Sequence, residues 1–200
     1  MTSPGTAKHR YFDKHFNRAA AKLLPGEYQA ADDGLLLVTV LGSCVSACLR
    51  DRKTGIAGMN HFMLPDQGSS NSDRLMPARF GTHAMELLIN DMLKLGANRS
   101  TLEAKVFGGG NVIAGMTTVN IGQRNAGFVR AFLAQENIPI VAEDLGLDIA
   151  RKIYFFTDSG KVMVKKINPQ QTLVQEEESY RRRIDRDTEQ KHGGDIDLFI

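Results

Sequence analysis

The sequence predicts an α+β fold. Three observations carry that expectation: short β-branched apolar runs of strand length, two amphipathic stretches of helical period, and no strict alternation between the two. The first ten residues are small and polar and read as a frayed end. Phe12, Phe16, Ala19, Ala20 and Leu23 fall at helical spacing and predict a helix that Pro25-Gly26 ends; an aromatic-rich arm packed on the body gives the same pattern. Leu35 to Leu41 is a buried strand, interrupted at Gly42. Cys44 to Leu49 resumes it, with Val45, Ala47 and Leu49 on one face and Cys44, Ser46 and Cys48 on the other. Asp51 to Gly55 is a turn, and Ile56 to Leu64 is a third strand ended by Pro65. Links this short make antiparallel neighbours.

Asp66 to Arg79 is polar and rich in Gly, Ser and Asn, a surface loop long enough to be functional. Phe80, Ala84, Leu87, Leu88, Met92 and Leu95 predict an amphipathic helix stopped by Gly96. Leu102 to Gly110 is a strand running into glycines, Ala126, Val129, Phe132 and Leu133 mark a second helix, and Ile138 to Asp144 is another strand. The hairpin signature Asp158-Ser159-Gly160 joins two further strands. Glu176 to Lys191 is charge-dense, with Glu177 to Arg181 and Glu178 to Arg182 at favourable i,i+4 spacing, and reads as a solvated helix or tail. The closing Gly-Gly-Asp-Ile-Asp-Leu-Phe-Ile docks two apolar side chains back on the body.

Composition narrows the function classes. An apolar fraction of 42% and a charged fraction of 24% over 200 residues exclude wholesale disorder. A net charge of +2 is no polycation for nucleic acid, and Glu176 to Glu178 dilute the Arg181-Arg182-Arg183 run. There is no apolar run of membrane-spanning length and no apolar core of a secretory signal. Cys44 and Cys48 are too few for a disulfide framework, which fits a reducing cytoplasm. Neither Cys-x-x-Cys nor His-Glu-x-x-His spacing occurs, so neither metal nor cofactor is expected. Gly108-Gly109-Gly110-Asn111 lacks the ending of a phosphate loop and reads as a strand-end turn or a close backbone approach to a site.

One arrangement suits chemistry. A thiol nucleophile needs a base within reach, because a free Cys is mostly protonated at neutral pH. It also needs donors aimed at the oxyanion formed on attack. Gly42-Ser43-Cys44, at a strand break, supplies a thiol and adjacent backbone amides, Ser43 and Cys44 being the oxyanion donors. Pairing the flanking strands about the turn near Lys53 puts residue 44 opposite residue 61 or 62, so Cys44 and His61 face each other across an accessible cleft. Cys48 reads as a small buried hydrophobe, His83 as structural or exposed, and His9, His15 and His192 lie in the chain ends.

These residues resemble a known family. Thr39-Val-Leu-Gly-Ser-Cys44 and Gly58-Met-Asn-His-Phe-Met-Leu-Pro65 are similar to the signature of the chemoreceptor glutamine deamidase CheD family. The likeness continues in Leu102 to Gly109, Asn120-Ile-Gly-Gln-Arg-Asn125, Ala142-Glu-Asp144 and the hairpin from Arg151 to Ile167. The resemblance implies a central β-sandwich flanked by helices, similar to the cytotoxic necrotizing factor catalytic domain. The chain is expected to divide into an N-terminal arm or helix at 1–24, a catalytic domain at 25–170 and a charged C-terminal extension at 171–200. The resemblance also implies hydrolysis of glutamine side chains on methyl-accepting chemotaxis receptors, with Cys44 as nucleophile, His61 as base and Thr39 assisting His61. Cytoplasmic receptor helices are the implied partners, with the phosphatase CheC a further one, and no cofactor is needed. The loop from Asp66 to Arg79 is the candidate receptor contact. A Cys-His peptidase or transglutaminase shares the thioester step, and a non-enzymatic binding module for chemotaxis proteins is the remaining alternative.

Overall fold

The structure is a computed structural model and describes residues 5–65, 76–112, 121–167 and 171–190. Ten strands make two five-stranded sheets among these residues. The first sheet is ordered β1 (His9–Asp13), β2 (Arg18–Lys22), β4 (Leu36–Leu41), β9 (Ala150–Phe156), β10 (Lys161–Ile167). The second is ordered β3 (Tyr28–Ala31), β6 (Ala57–Asn60), β5 (Val45–Asp51), β7 (Leu102–Gly108), β8 (Ile140–Leu145). Each is mixed: β2 with β4 and β7 with β8 are parallel pairs, and the others are antiparallel. With helices α1 (Met76–Lys94), α2 (Ile121–Gln135) and α3 (Gln171–Gln190), the class is α+β as expected, without a closed barrel.

Strand alternation sorts the side chains into two cores. Val45, Ala47 and Leu49 join Leu88, Met92, Val129 and Leu133, burying the outer face of the second sheet under α1 and α2. Cys44, Cys48, Ala57, Met59 and Phe107 point the other way and pack with Leu37, Leu41, Ile153 and Phe155 between the two sheets. The alternation expected for residues 44–49 is therefore the one observed.

Three expectations are corrected. Phe12 to Leu23 is not a helix but the β1–β2 hairpin, turned at Asn17 with φ 50° and by Asp13, whose Oδ1 accepts the amides of His15 and Phe16. Its apparent helical period is a coincidence of two faces: Phe16 and Ala20 pack beside Tyr154 and Phe156, Leu23 enters the inter-sheet core, and Phe12 and Ala19 are exposed. The strand that was expected to resume after Gly42-Ser43 does not continue: β4 and β5 lie in different sheets and the break is the crossing between them, whereas β5 and β6 about the Asp51–Gly55 turn are antiparallel as expected. The loop expected to Arg79 gives way to α1 at Met76, since Pro77 in a first helical turn has no needed N–H to lose. Residues 66–75 of that loop, and the closing apolar residues, lie outside the described residues.

Candidate active site

The crossing from β4 to β5 builds the site. Its three carbonyls are all taken. Gly42 O accepts Gly110 N–H at 2.7 Å, Cys44 O accepts Gly109 N–H at 2.7 Å, and Ser43 O accepts Asn125 Nδ2 at 2.8 Å. In a trans peptide the N–H opposes the C=O. Anchoring the carbonyls of Gly42 and Ser43 therefore aims the amides of Ser43 and Cys44 at the opposite side. The glycine run permits the close approach: Gly108 has φ 103°, and a Cβ there would collide with the Cys44 carbonyl. Asn125 is fully buried and also accepts Leu64 N–H at 2.9 Å, so α2 ties the crossing to the segment that follows His61.

His61 lies one residue past β6. Cys48 pairs with Met59, the Asn60 side chain takes Ala47 N–H at 2.9 Å, and pairing resumes at Val45 with Phe62. The register is a residue or two beyond the one expected. It keeps Cys44 and His61 on one face as diagonal neighbours, because directly opposed residues share a face. Thr39, on the inner face of β4, places Oγ1 2.8 Å from His61 Nδ1 and 2.9 Å from the Leu23 carbonyl. A hydroxyl has one proton; donated to Leu23, it leaves a lone pair for Nδ1–H. That tautomer leaves Nε2 as an acceptor, and Nε2 is buried without a hydrogen-bond partner.

The fourth participant, Glu177 of α3, was not predicted. It is fully buried rather than solvated. Its Oε1 accepts the amides of Gly42 at 2.7 Å and Cys44 at 3.3 Å, and its Oε2 accepts Ser43 N–H at 2.8 Å and Ser43 Oγ–H at 2.7 Å. Gly42 thus joins Ser43 and Cys44 in the amide cluster. Amid neighbouring acids, Glu177 looked like part of a charged face. The one signal that sets it apart is the i, i+3, i+7 stripe it makes with Tyr180 and Ile184, both buried. The neighbouring pair Glu178–Arg182 is a loose 3.9 Å contact with an exposed arginine.

Cys44 Sγ, one ring nitrogen of His61 and one carboxylate oxygen of Glu177 lie within 4.8 Å of one another. Such donors suit a soft divalent metal, but both Glu177 oxygens are already committed to the 42–44 segment. Burial, then the Glu177 charge, pushes the Cys44 thiol well above its ordinary value. Burial lowers the His61 imidazole, while Glu177 works against that shift. The pair as it stands is neutral thiol and neutral imidazole. It is also closed: Cys44 is 0% and His61 2% exposed. The expected accessible cleft is covered by α3 at Cys44 and His61, and a cavity of about 60 Å³ lies between His61, His83 and Tyr180.

A thiol, an imidazole held by a hydroxyl, and three convergent amides, set between two sheets, are the layout of a cysteine–histidine acyl-transfer centre. The family model described as CheD chemotactic sensory transduction matches residues 63–166. The "Probable chemoreceptor glutamine deamidase CheD 2" of Chromobacterium violaceum is 54% identical over 196 residues, 98% of each chain. The similarly named proteins of Janthinobacterium sp. (strain Marseille) and Herminiimonas arsenicoxydans are 54% and 55% identical over 202 residues, each match covering 100% of this chain and 98% of the other. This chain belongs to the CheD family. Among solved structures, Bacillus licheniformis hypothetical protein YfiH aligns with 60% of this chain and 49% of its own at 12% identity and a TM-score of 0.35, too slight a likeness to bear on the fold.

Proposed function

We propose that this protein is a chemoreceptor glutamine deamidase, converting particular receptor glutamines to glutamate through a thioester on Cys44. The observation that carries the reading is the convergence of the 42–44 amides on a carboxylate beside the Cys44–His61 pair. Cys44 Sγ attacks the carboxamide carbon, and His61 Nε2 takes the thiol proton and returns it to the departing ammonia. The amides of Gly42, Ser43 and Cys44 hold the oxyanion, each such donor contributing about 10²–10³-fold in kcat. Water activated by His61 then cleaves the thioester. Thr39 orients the ring through Nδ1. A hydroxyl stabilises the imidazolium less than a carboxylate would, so turnover is slow.

The same reading makes residues 25–170 the catalytic domain and 171–200 an extension, and relates the sandwich to the cytotoxic necrotizing factor catalytic domain. It places the protein in the cytoplasm against receptor helices, with CheC as a further partner. No described helix is long and apolar enough to cross a membrane. The test mixes purified protein with chemoreceptor cytoplasmic fragments and maps new glutamates by peptide mass. New glutamates are expected with wild type and none with folded Cys44→Ala or His61→Ala. Full conversion by Cys44→Ala protein overturns the assignment. Chain cleavage or cross-linking in place of deamidation points to the peptidase or transglutaminase reading.

A further inference from the structure

The reading above leaves α3 unexplained, since it seals the site that must admit a receptor. Three features show that the seal is built. Glu177 is held by four neutral donors of residues 42–44, a set that grips an acyl oxygen rather than forming a salt bridge. The body carries a glycine beneath each of two anchors: a Cβ on Gly42 would lie 2.8 Å from Glu177 Oε2, and one on Gly26 would lie 2.9 Å from the Tyr180 ring. Among the described side chains of α3, Glu177, Tyr180 and Ile184 are buried, whereas Ser179, Arg182, Arg183 and Arg186 are exposed. Beside it an open trough of about 900 Å³ runs along Lys8, Leu24, Gly26 and Tyr180, leaving the groove only partly filled.

We infer that the groove holding Glu177, Tyr180 and Ile184 is the docking surface for the target helix, and that α3 is its built-in competitor, with Glu177 in the place of the glutamate product. The inference rests on the deamidase reading for the identity of the displaced partner. A glutamine side chain on a helix seated where α3 sits reaches the 42–44 amides as Glu177 does now. Departure of α3 opens the thiol and removes the carboxylate that opposes its ionisation.

The test uses the full-length protein and two readouts, alkylation of each cysteine by iodoacetamide and deamidation of chemoreceptor cytoplasmic fragments. Cys48 is buried at the centre of β5, paired with Met59 of β6 and Lys105 of β7, so its protection reports an intact second sheet. Tyr180→Ala and Ile184→Ala are each expected to speed Cys44 alkylation by about tenfold or more, because reactivity follows the open fraction. Cys48 is expected to stay protected, and KM for the fragments to fall with kcat unchanged. Unchanged Cys44 alkylation, or faster alkylation with unchanged KM, overturns the inference. If Cys44 is uncovered while wild type and variants alike leave the fragments unmodified, the deamidase reading fails and with it α3's role as competitor. A variant that exposes Cys48 has unfolded, and Tyr180→Leu and Ile184→Val then decide between the same outcomes.

Discussion

Thr39 and His61 show how one hydrogen bond chooses a tautomer. With Nδ1 committed to the hydroxyl, Nε2 is the nitrogen left to take a proton. Thr39→Val removes the partner without changing the shape, and kcat is expected to fall on the order of a hundredfold, near the lower bound of what a positioned base contributes. KM should move little in the same steady-state assay. Burial depresses the His61 pKa, so the unfolded chain binds that proton first. The stability gained by keeping the ring neutral is complete above about pH 6.5 and declines as pH falls below it. Urea midpoints measured across this range should drop on acidification, and His61→Asn should flatten that limb. Cys44 was legible because Gly-Ser precedes it at a strand break, and His61 because hairpin arithmetic brings it near. Glu177 was not, because burial of one acid among several depends on a partner 133 to 135 residues away.

At the level of elements, local pattern failed where two periods coincide. Phe12, Phe16, Ala19 and Ala20 satisfy a helix, yet the segment gains more by adding β2 to β4, where Ala20 pairs with Leu36 and Lys22 with Val38. Tertiary pairing of this kind overrides propensity. The turn after β5 was read correctly because its chemistry is local. Asp51 Oδ1 accepts Lys53 N–H at 2.8 Å and Thr101 Oγ1–H at 2.6 Å, and Oδ2 accepts Asn98 N–H at 2.8 Å. The carboxylate thereby joins the end of β5 to the 3-10 turn Arg99–Thr101 that opens β7. Burial opposes its ionisation, but these bonds prevail and hold the carboxyl well below the usual range. Its contribution is present above the ordinary Asp value and is lost as pH falls through the lower folded one. Asp51→Ala orphans several donors and should destabilise the protein by about 3 kcal/mol in urea unfolding. The register error at the hairpin has a similarly local origin: Asp51 N–H bonds the Ile56 carbonyl at 2.8 Å, which centres the turn between Lys53 and Thr54 rather than on Lys53.

The molecule as a whole is two sheets between which the chain crosses after β2, β3, β4 and β8, and buried polar ties add to those crossings. Arg151 is fully buried on β9 and bonds Asp144 at 2.9 Å and the Gly146 carbonyl at 2.7 Å, joining the first sheet to the edge of the second. Arg151→Leu leaves those acceptors unpaired, and a fall in Tm of roughly 10 °C by calorimetry is expected. The α+β class, the two helices and both faces of β5 were legible from periodicity. The division into two sheets was not, because nothing local distinguishes a corner from an interruption within one strand at Gly42-Ser43. That corner has a kinetic consequence. The amide protons of residues 42–44 are shielded by a side chain of α3, whereas those of adjoining β5 are shielded by the ladder. In deuterated buffer, three consecutive backbone positions should therefore take up deuterium at the pace of helix detachment, while their neighbours wait for unfolding of the sandwich. Adding receptor helices would hasten or slow that trio alone, making it a site-specific timer of occupancy.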